Sequence, residues 1–326
     1  MPRRAPSPEL IERFRTSTDA LTGGSLPLGL AVSGGPDSLA LLLLAAAAYP
    51  GAVRAATVDH GLRAESAAEA AFVGQICRSL DVPHATLKAD VDTGRASLQQ
   101  AARQARYAAL DRWLRAEAIP ILATAHHVED QAETLLMRLL RGAGAGGLSG
   151  IRARARLPVP ASEAILIRPL LAWRRGELRA IVDAAGLVPV DDPSNRDLRY
   201  DRARIRQAMA ATQWLDPVAI ANSAAALADA DEALDWAAAR AEAERVAPDG
   251  RGLSFAAGGL PDEIKRRLIA AVITRLDPEA GRPRGKDVGR LLATLETGGT
   301  ATLAGIKCTG GSPWRFEPAP PRRRCR

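Results

Sequence analysis

Apolar positions along the first 141 residues alternate between two textures. Short continuous apolar runs at 29–32, 53–58, 84–89 and 119–125 have the length and flanking turn residues of strands buried on both faces. Between them, Leu39–Ala48, Glu65–Leu80, Ser97–Glu117 and Val128–Arg141 read as helices, with Ser97 placed to cap the third. Repeated strand–helix units with apolar strands predict a doubly wound parallel α/β sheet covered by helices.

The texture then changes. "GAGAGGLSG" (142–150) reads as a glycine-rich loop, and the basic, Pro-containing stretch behind it as a connector. Residues 173–186 predict a helix stopped at Gly186. Residues 191–209 mix turn signals with the start of a basic helix, and an Ala-rich amphipathic helix begins near 215. Short strand and helix patterns fill the remainder. The expected organisation is an N-terminal extension (1–26), a catalytic α/β domain (27–212) and a second, smaller α+β domain (213–326) that helps bind the substrate.

At 326 residues and 47% hydrophobic, the chain is long enough to bury a real core. The apolar run after Ser38 is too short to span a bilayer, and the basic start "MPRRAPSPEL" has no apolar stretch behind it. Cys77, Cys308 and Cys325 form no C-x-x-C pair, which speaks against a disulfide framework, a zinc ribbon and a redox dithiol. A cytoplasmic protein with no membrane partner is expected. The formal charge is +7, and residues 138–206 alone hold 14 Arg against 7 acidic residues. That span predicts a polyanion-facing surface, although only four of the 44 basic residues are Lys, as coding bias would also give.

The chemistry concentrates at strand ends. Ser33-Gly34-Gly35-Pro36-Asp37-Ser38 sits between a buried strand and a helix, where glycines let backbone N–H groups converge on a phosphate. No Gly-Lys-[Ser/Thr] follows, and G-x-G-x-x-G is absent, so neither a Walker A loop nor a dinucleotide fingerprint is present. Asp37 faces phosphate usefully only through Mg²⁺. Asp59 and His60 close the second strand, where a doubly wound sheet binds its ligand. Arg103 and Arg106 share a helical face suited to a phosphate or carboxylate. His126, Asp130 and Glu133 are spaced for one helical face, with Leu135, Leu136, Leu139 and Leu140 expected to pack beneath. Two carboxylates beside an imidazole suit an amine, a metal or proton transfer. With no third His or Cys at ligand spacing, the imidazoles make a poor metal site.

The loop resembles that of the N-type ATP pyrophosphatases, the PP-loop enzymes, which cleave ATP to AMP and pyrophosphate. Together with "VDHGLR" (58–63), "ARQARY" (102–107), "TAHHVEDQAET" (124–134), Arg168–Leu171 and "SNRDLRYDRARIR" (194–206), it resembles the tRNA(Ile)-lysidine synthetases over roughly residues 28–210. Glu129 stands where that family usually has Asp, and Ala203 where Asn is common.

The resemblance implies ATP-dependent adenylation of the wobble cytidine of a CAU-anticodon isoleucine tRNA, then attack by free L-lysine. It implies ATP and Mg²⁺ as co-substrate and cofactor. ATP would meet Ser33, Gly34, Gly35, Pro36, Asp37, Ser38, Asp59 and His60, with Mg²⁺ at Asp37. Catalysis would fall to Asp37, Arg106, His126 and Asp130, lysine binding to Asp130 and Glu133, and tRNA binding to Arg199, Arg202 and Arg206. The proton acceptor for lysine stays open among Asp130, Glu133 and His126. A homodimer is a further expectation. The competing readings are another PP-loop tRNA-modifying enzyme such as a thiolase, and a non-catalytic nucleotide- or RNA-binding module.

Overall fold

A computed structural model describes residues 4–59, 66–89, 98–190, 199, 201–212 and 214–320. Its contacts divide the chain into two compact units, Met1–Ala228 and Asp229–Arg326.

In the first unit the strands β1 (Leu28–Ala31), β2 (Val53–Asp59), β3 (His84–Lys88), β4 (Ile121–Ala123), β5 (Arg154–Arg156) and β6 (Ile165–Ile167) form one sheet in the order β3-β2-β1-β4-β6-β5. All neighbours are parallel except β5, which runs antiparallel to β6 at the edge. The predicted doubly wound sheet is present. The connector expected at 151–164 instead contributes β5, and β6 follows directly behind it. Each is three residues long, too short to show a period, and Arg154 and Arg156 point outward as an edge strand allows.

Alternation along the strands separates two cores. Leu28, Leu30, Val53, Ala55, Ile121, Ala123 and Ile167 share one core with α2 (Pro36–Ala48) and α7 (Arg175–Ala184). Ala56, Leu122 and Leu166 face the other way, onto Tyr107, Leu110, Trp113 and Leu114 of α4 (Leu98–Ala116). Gly29 lets α4 approach, since a Cβ there would lie 2.9 Å from Leu114 Cδ2. The helix α2 is apolar nearly all round because it lies on the sheet and also packs against α7 and α1 (Pro8–Thr22). Far from being an appended extension, α1 buries Phe14 in the same core.

The strand order reverses beside β1, whose neighbours are β2 and β4. The loops leaving β1 and β4 therefore flank the crevice where such a sheet binds ligands. From them start α2 and α5 (Val128–Leu139). The first unit also holds α3 (Ser66–Ser79), the short α6 (Ala145–Leu148), α8 (Asp201–Ala211) and the beginning of α9 (Pro217–Arg245).

The division at 228/229 falls later than the expected boundary at 212. The reason is that α9 is one unbroken helix whose start belongs to the first unit, where a Cβ on Gly150 would meet Ala224 at 3.1 Å. The second unit is α+β. Strands β7 (Val246–Asp249), β8 (Gly252–Phe255), β9 (Thr300–Leu303), β10 (Ile306–Thr309) and β11 (Trp314–Pro318) pair antiparallel in the order β7-β8-β11-β10-β9. Helices α10 (Asp262–Leu276) and α11 (Gly285–Glu296) share their core, where Arg267 is buried with Asp231 at 2.6 Å and Glu263 at 3.1 Å. No helix among the described residues is long and apolar enough to cross a membrane.

Candidate active site

The loop after β1 is tied down from within. Ser38 Oγ accepts the Ser33 N–H at 3.1 Å and donates to the Gly35 carbonyl at 3.0 Å, while Ser33 Oγ lies 3.2 Å from it. Gly34 has φ +83, and Val190 donates its N–H to the Gly34 carbonyl at 3.0 Å. A side chain at position 34 would be strained and would press on Val190, so glycine is required here. Gly35 caps α2 and Pro36 opens it, with no side chain bonded to the helix N-terminus as a cap, an end that favours anions. Asp37 stands in the first turn, and its Oδ1 is buried without a hydrogen-bond partner among the described residues. Asp59 is half-buried at the end of β2, and His60 lies outside the described residues.

His127 is almost wholly buried between the two loops. Its Nε2 lies 3.5 Å from Asp37 Oδ2 and 3.4 Å from Asp130 Oδ2, and its Nδ1 lies 2.9 Å from Glu129 Oε2. Burial disfavours its charge, but Asp37, Glu129 and Asp130 outweigh that and raise its pKa to about 9. His127 is therefore an imidazolium that joins the β1 loop to the start of α5. Sequence reasoning missed it, and also Glu129, which accepts the Arg175 N–H at 3.0 Å and ties α5 to α7. The only signal was the His-His doublet, and a helical period cannot say which of two adjacent imidazoles turns inward.

His126 behaves oppositely. It does not share the helical face of Asp130 and Glu133. It lies in the turn before α5, with Nδ1 3.0 Å from Thr124 Oγ1. Burial is the main cause that lowers its pKa to about 3, and Arg168, Arg202 and Arg103 lower it further against the pull of Asp130. It is neutral at pH 7. The apolar quartet expected beneath this face is also split: Leu135 is buried, but Leu139 and Leu140 are 52% and 78% exposed where the helix runs out into the glycine loop.

Asp130 and Glu133 are not vacant. Asp130 Oδ2 accepts the His127 N–H at 3.0 Å, and Oδ1 accepts from Arg202 Nη2 at 2.8 Å. Glu133, 1% exposed, accepts from Arg202 Nε at 2.7 Å and Arg206 Nε at 2.7 Å, with Arg175 Nη2 at 3.8 Å. Although burial raises the Asp130 pKa, His127, Arg202 and His126 hold it below its ordinary value. The residues expected to bind an amine and two of those expected to bind RNA thus meet as one ion-pair network between α5 and α8. Arg199 is exposed.

Other arginines of the basic span are also engaged. Arg138 donates to the Gly147 and Gly150 carbonyls at 2.8 and 2.9 Å, Arg141 pairs with Asp201 at 2.6 Å, and Arg174 with Asp216 at 3.1 Å. Arg106 is desolvated, which lowers its pKa, and its guanidinium lies 5.5 Å from the centre of the Tyr107 ring.

Among the described residues no group of three or more His, Cys, Asp or Glu is arranged to hold a metal ion. A Mg²⁺ ion carried by a nucleotide needs only one or two protein carboxylates. The orphaned Asp37 Oδ1 fits that role. Cys77 is buried in α3 with its thiol pushed up to about 12 by desolvation, so it is not a reactive thiolate.

A PP-loop domain model matches residues 12–212. The chain is 49% identical over 318 residues to a tRNA(Ile)-lysidine synthase of Novosphingobium aromaticivorans, covering 95% of this chain and 94% of the relative. It is 41% identical over 321 residues to that of Zymomonas mobilis, covering 97% of each. Among solved structures, the U34-tRNA thiolase NcsA of Methanococcus maripaludis with its [4Fe-4S] cluster aligns with a TM-score of 0.52 at 16% identity, over 67% of this chain and 79% of that one, a likeness of fold.

Proposed function

Since the chain belongs to the tRNA(Ile)-lysidine synthase family, ATP-using ligases built on a PP-loop domain and acting on isoleucine tRNA, we propose that the cluster around His127 is where both half-reactions occur. In the first, the carbonyl oxygen at carbon 2 of the wobble cytosine of a CAU anticodon attacks the α-phosphate of ATP, and pyrophosphate leaves. In the second, the side-chain amine of free L-lysine attacks carbon 2, and AMP departs.

The observation that carries this reading is the single imidazolium between Asp37 of the phosphate loop and Asp130 of the amine-binding helix. It supports one site for nucleotide and amine. The backbone N–H groups of Gly34, Gly35 and the first turn of α2 after Pro36 would face the phosphates, and Asp59 would lie beside the nucleotide. Asp37 would hold Mg²⁺, which supplies neutralising charge to the phosphates when bound. Arg106, desolvated, is suited to an anionic group.

Asp130 and Glu133 would bind the lysine ammonium, which requires the Arg202 and Arg206 guanidiniums to give way. Arg202 adds to the effect of His127 in lowering the basicity of Asp130, and to that of burial and Arg168 in lowering that of His126, so its departure would make both better proton acceptors beside the amine. RNA phosphates compete for arginine. In this reading, binding of the tRNA draws Arg202 and Arg206 outward and opens the lysine site only when the cytidine is in place. Arg199 would join them on the RNA.

α-Labelled ATP tests the reading. The protein with isoleucine tRNA and lysine should release labelled AMP, whereas a binding module would leave the ATP intact.

A further inference from the structure

Thr57 and His84 lie outside the motifs at 33–38 and 58–63, yet they hold the phosphate loop from behind. Thr57 of β2 is 5% exposed, and its Oγ1 donates to the Val32 carbonyl at 2.8 Å. With the hydroxyl proton spent there, Thr57 Oγ1 accepts from His84 Nε2, 2.9 Å away at the start of β3. The imidazole therefore carries a proton on Nε2. Burial is the main cause that lowers its pKa, and Arg78 lowers it further, so the ring is neutral at pH 7 and Nδ1 is bare. Gly74 of α3 makes room for the ring, since a Cβ there would lie 3.3 Å from Nδ1. The next residue back, Val73, lies against the loop itself, its Cγ2 3.4 Å from where a Cβ on Gly34 would be.

The chain of bonds does not stop at Val32. The Val32 carbonyl and the Ser33 N–H belong to one planar peptide. That N–H donates to Ser38 Oγ at 3.1 Å, and Ser38 Oγ donates to the carbonyl of Gly35, the N-cap of α2, at 3.0 Å. Four hydrogen bonds thus run head to tail from the edge strand to the helix start: His84 to Thr57, Thr57 to Val32, Ser33 to Ser38, and Ser38 to Gly35. Each donor along such a chain is polarised by the bond it accepts. The Val32 N–H is itself bonded to the Ala56 carbonyl at 2.9 Å, so the strand is fixed up to this peptide. A peptide pinned at both its oxygen and its hydrogen cannot rotate without breaking a bond. Its plane sets the direction in which the chain enters Gly34 and Gly35, and so where their N–H groups point.

We propose that His84 is a positioning residue for ATP cleavage, acting through Thr57 and the Val32–Ser33 peptide on the loop that receives the phosphates. This rests on ATP being cleaved at that loop. His84 keeps the loop in the geometry that the transition state needs, so its loss should appear more in turnover than in nucleotide affinity.

The test compares two measurements on the full chain. One is pyrophosphate release with tRNA and lysine present. The other is binding of an ATP analogue with a methylene bridge between its α- and β-phosphorus atoms. Moving catalytic groups by about 1 Å costs on the order of a hundredfold in rate, so a partly released loop should cost about tenfold. His84→Leu should therefore lower kcat for pyrophosphate release by about that factor, while Kd for the analogue and KM for lysine stay within about twofold of wild type. His84→Gln, whose amide N–H can reach the same oxygen, should recover most of the loss. Thr57→Val should lose at least as much as His84→Leu, and combining the two should cost nothing more, because the chain is already cut. Thr57→Val also carries the comparison if His84→Leu does not fold. Wild-type kcat in Thr57→Val, with only the melting temperature lowered, would mean a purely structural bond and would overturn the proposal. So would a His84→Gln variant as impaired as His84→Leu, or losses that multiply in the double variant. Absence of pyrophosphate release by wild type would instead refute the reading on which the proposal rests.

Discussion

Arg202 spans the two carboxylates of α5, with its Nε 2.7 Å from Glu133 Oε2 and its Nη2 2.8 Å from Asp130 Oδ1. A guanidinium in that position competes with any ammonium for the same oxygens. Arg202→Gln should therefore tighten lysine binding to the tRNA-free protein by about tenfold, the equivalent of ~1.4 kcal/mol. Calorimetric titration with L-lysine checks this, and unchanged or weaker binding would mean that lysine sits elsewhere.

Asp130→Asn should damage lysine use more than nucleotide cleavage, because an amide cannot pair with an ammonium. Losing one charge-assisted contact is worth roughly 1.5–3 kcal/mol, so KM for lysine should rise by one to two orders of magnitude. Pyrophosphate release in the presence of tRNA should change far less. A KM for lysine equal to wild type's would contradict the assignment.

Asp37→Ala should abolish ATP cleavage while the chain still folds, at some cost in stability, since His127 loses one of its three neighbouring carboxylates but keeps Glu129 and Asp130. Pyrophosphate release and far-ultraviolet circular dichroism, measured together, separate a lost site from a lost fold.

The adjacent histidines should shape stability against pH in opposite directions. His127 has a folded pKa of about 9, so its contribution is full below the unfolded value near 6.5 and is lost as pH rises through about 9. His126, at about 3 when folded, stays neutral while the unfolded chain gains a proton below about 6.5. Its contribution is therefore present above that value and is lost as pH falls towards 3. Each limb is limited to about 1.4 kcal/mol per pH unit. Urea unfolding from pH 5 to 9 should show the alkaline decline flattened in His127→Gln and the acid decline flattened in His126→Gln.

How much of this was legible in the sequence depends on range. The loop at 33–38 was readable because six consecutive residues carry it, and the parallel sheet because β1, β2 and β4 are continuous apolar runs between helical periods. The burial of α1 was not, since Phe14 and its neighbours read equally well as a free helix until α2 is seen to need cover on more than one side. Strands β5 and β6 were too short to show a period. At the site, Asp130 and Glu133 were found by their spacing, which is local. Their capture by Arg202 and Arg206 was not found, because it joins helices about 70 residues apart and no periodicity encodes it. The same limit applies to the basic span as a whole. Composition counts charges, but only packing reveals that Arg138 serves two glycine carbonyls and that Arg141 is matched by Asp201.

On the proposed reading, one site activates a tRNA base with ATP and joins it to lysine. Labelled L-lysine incubated with the protein and total tRNA, with and without ATP, tests it most directly. The account predicts label in the tRNA fraction that resists removal by gel filtration under denaturing conditions, only when ATP is present, with one AMP formed per lysine attached. Tight ATP and tRNA binding with no label transferred, or transfer that does not need ATP, would contradict it.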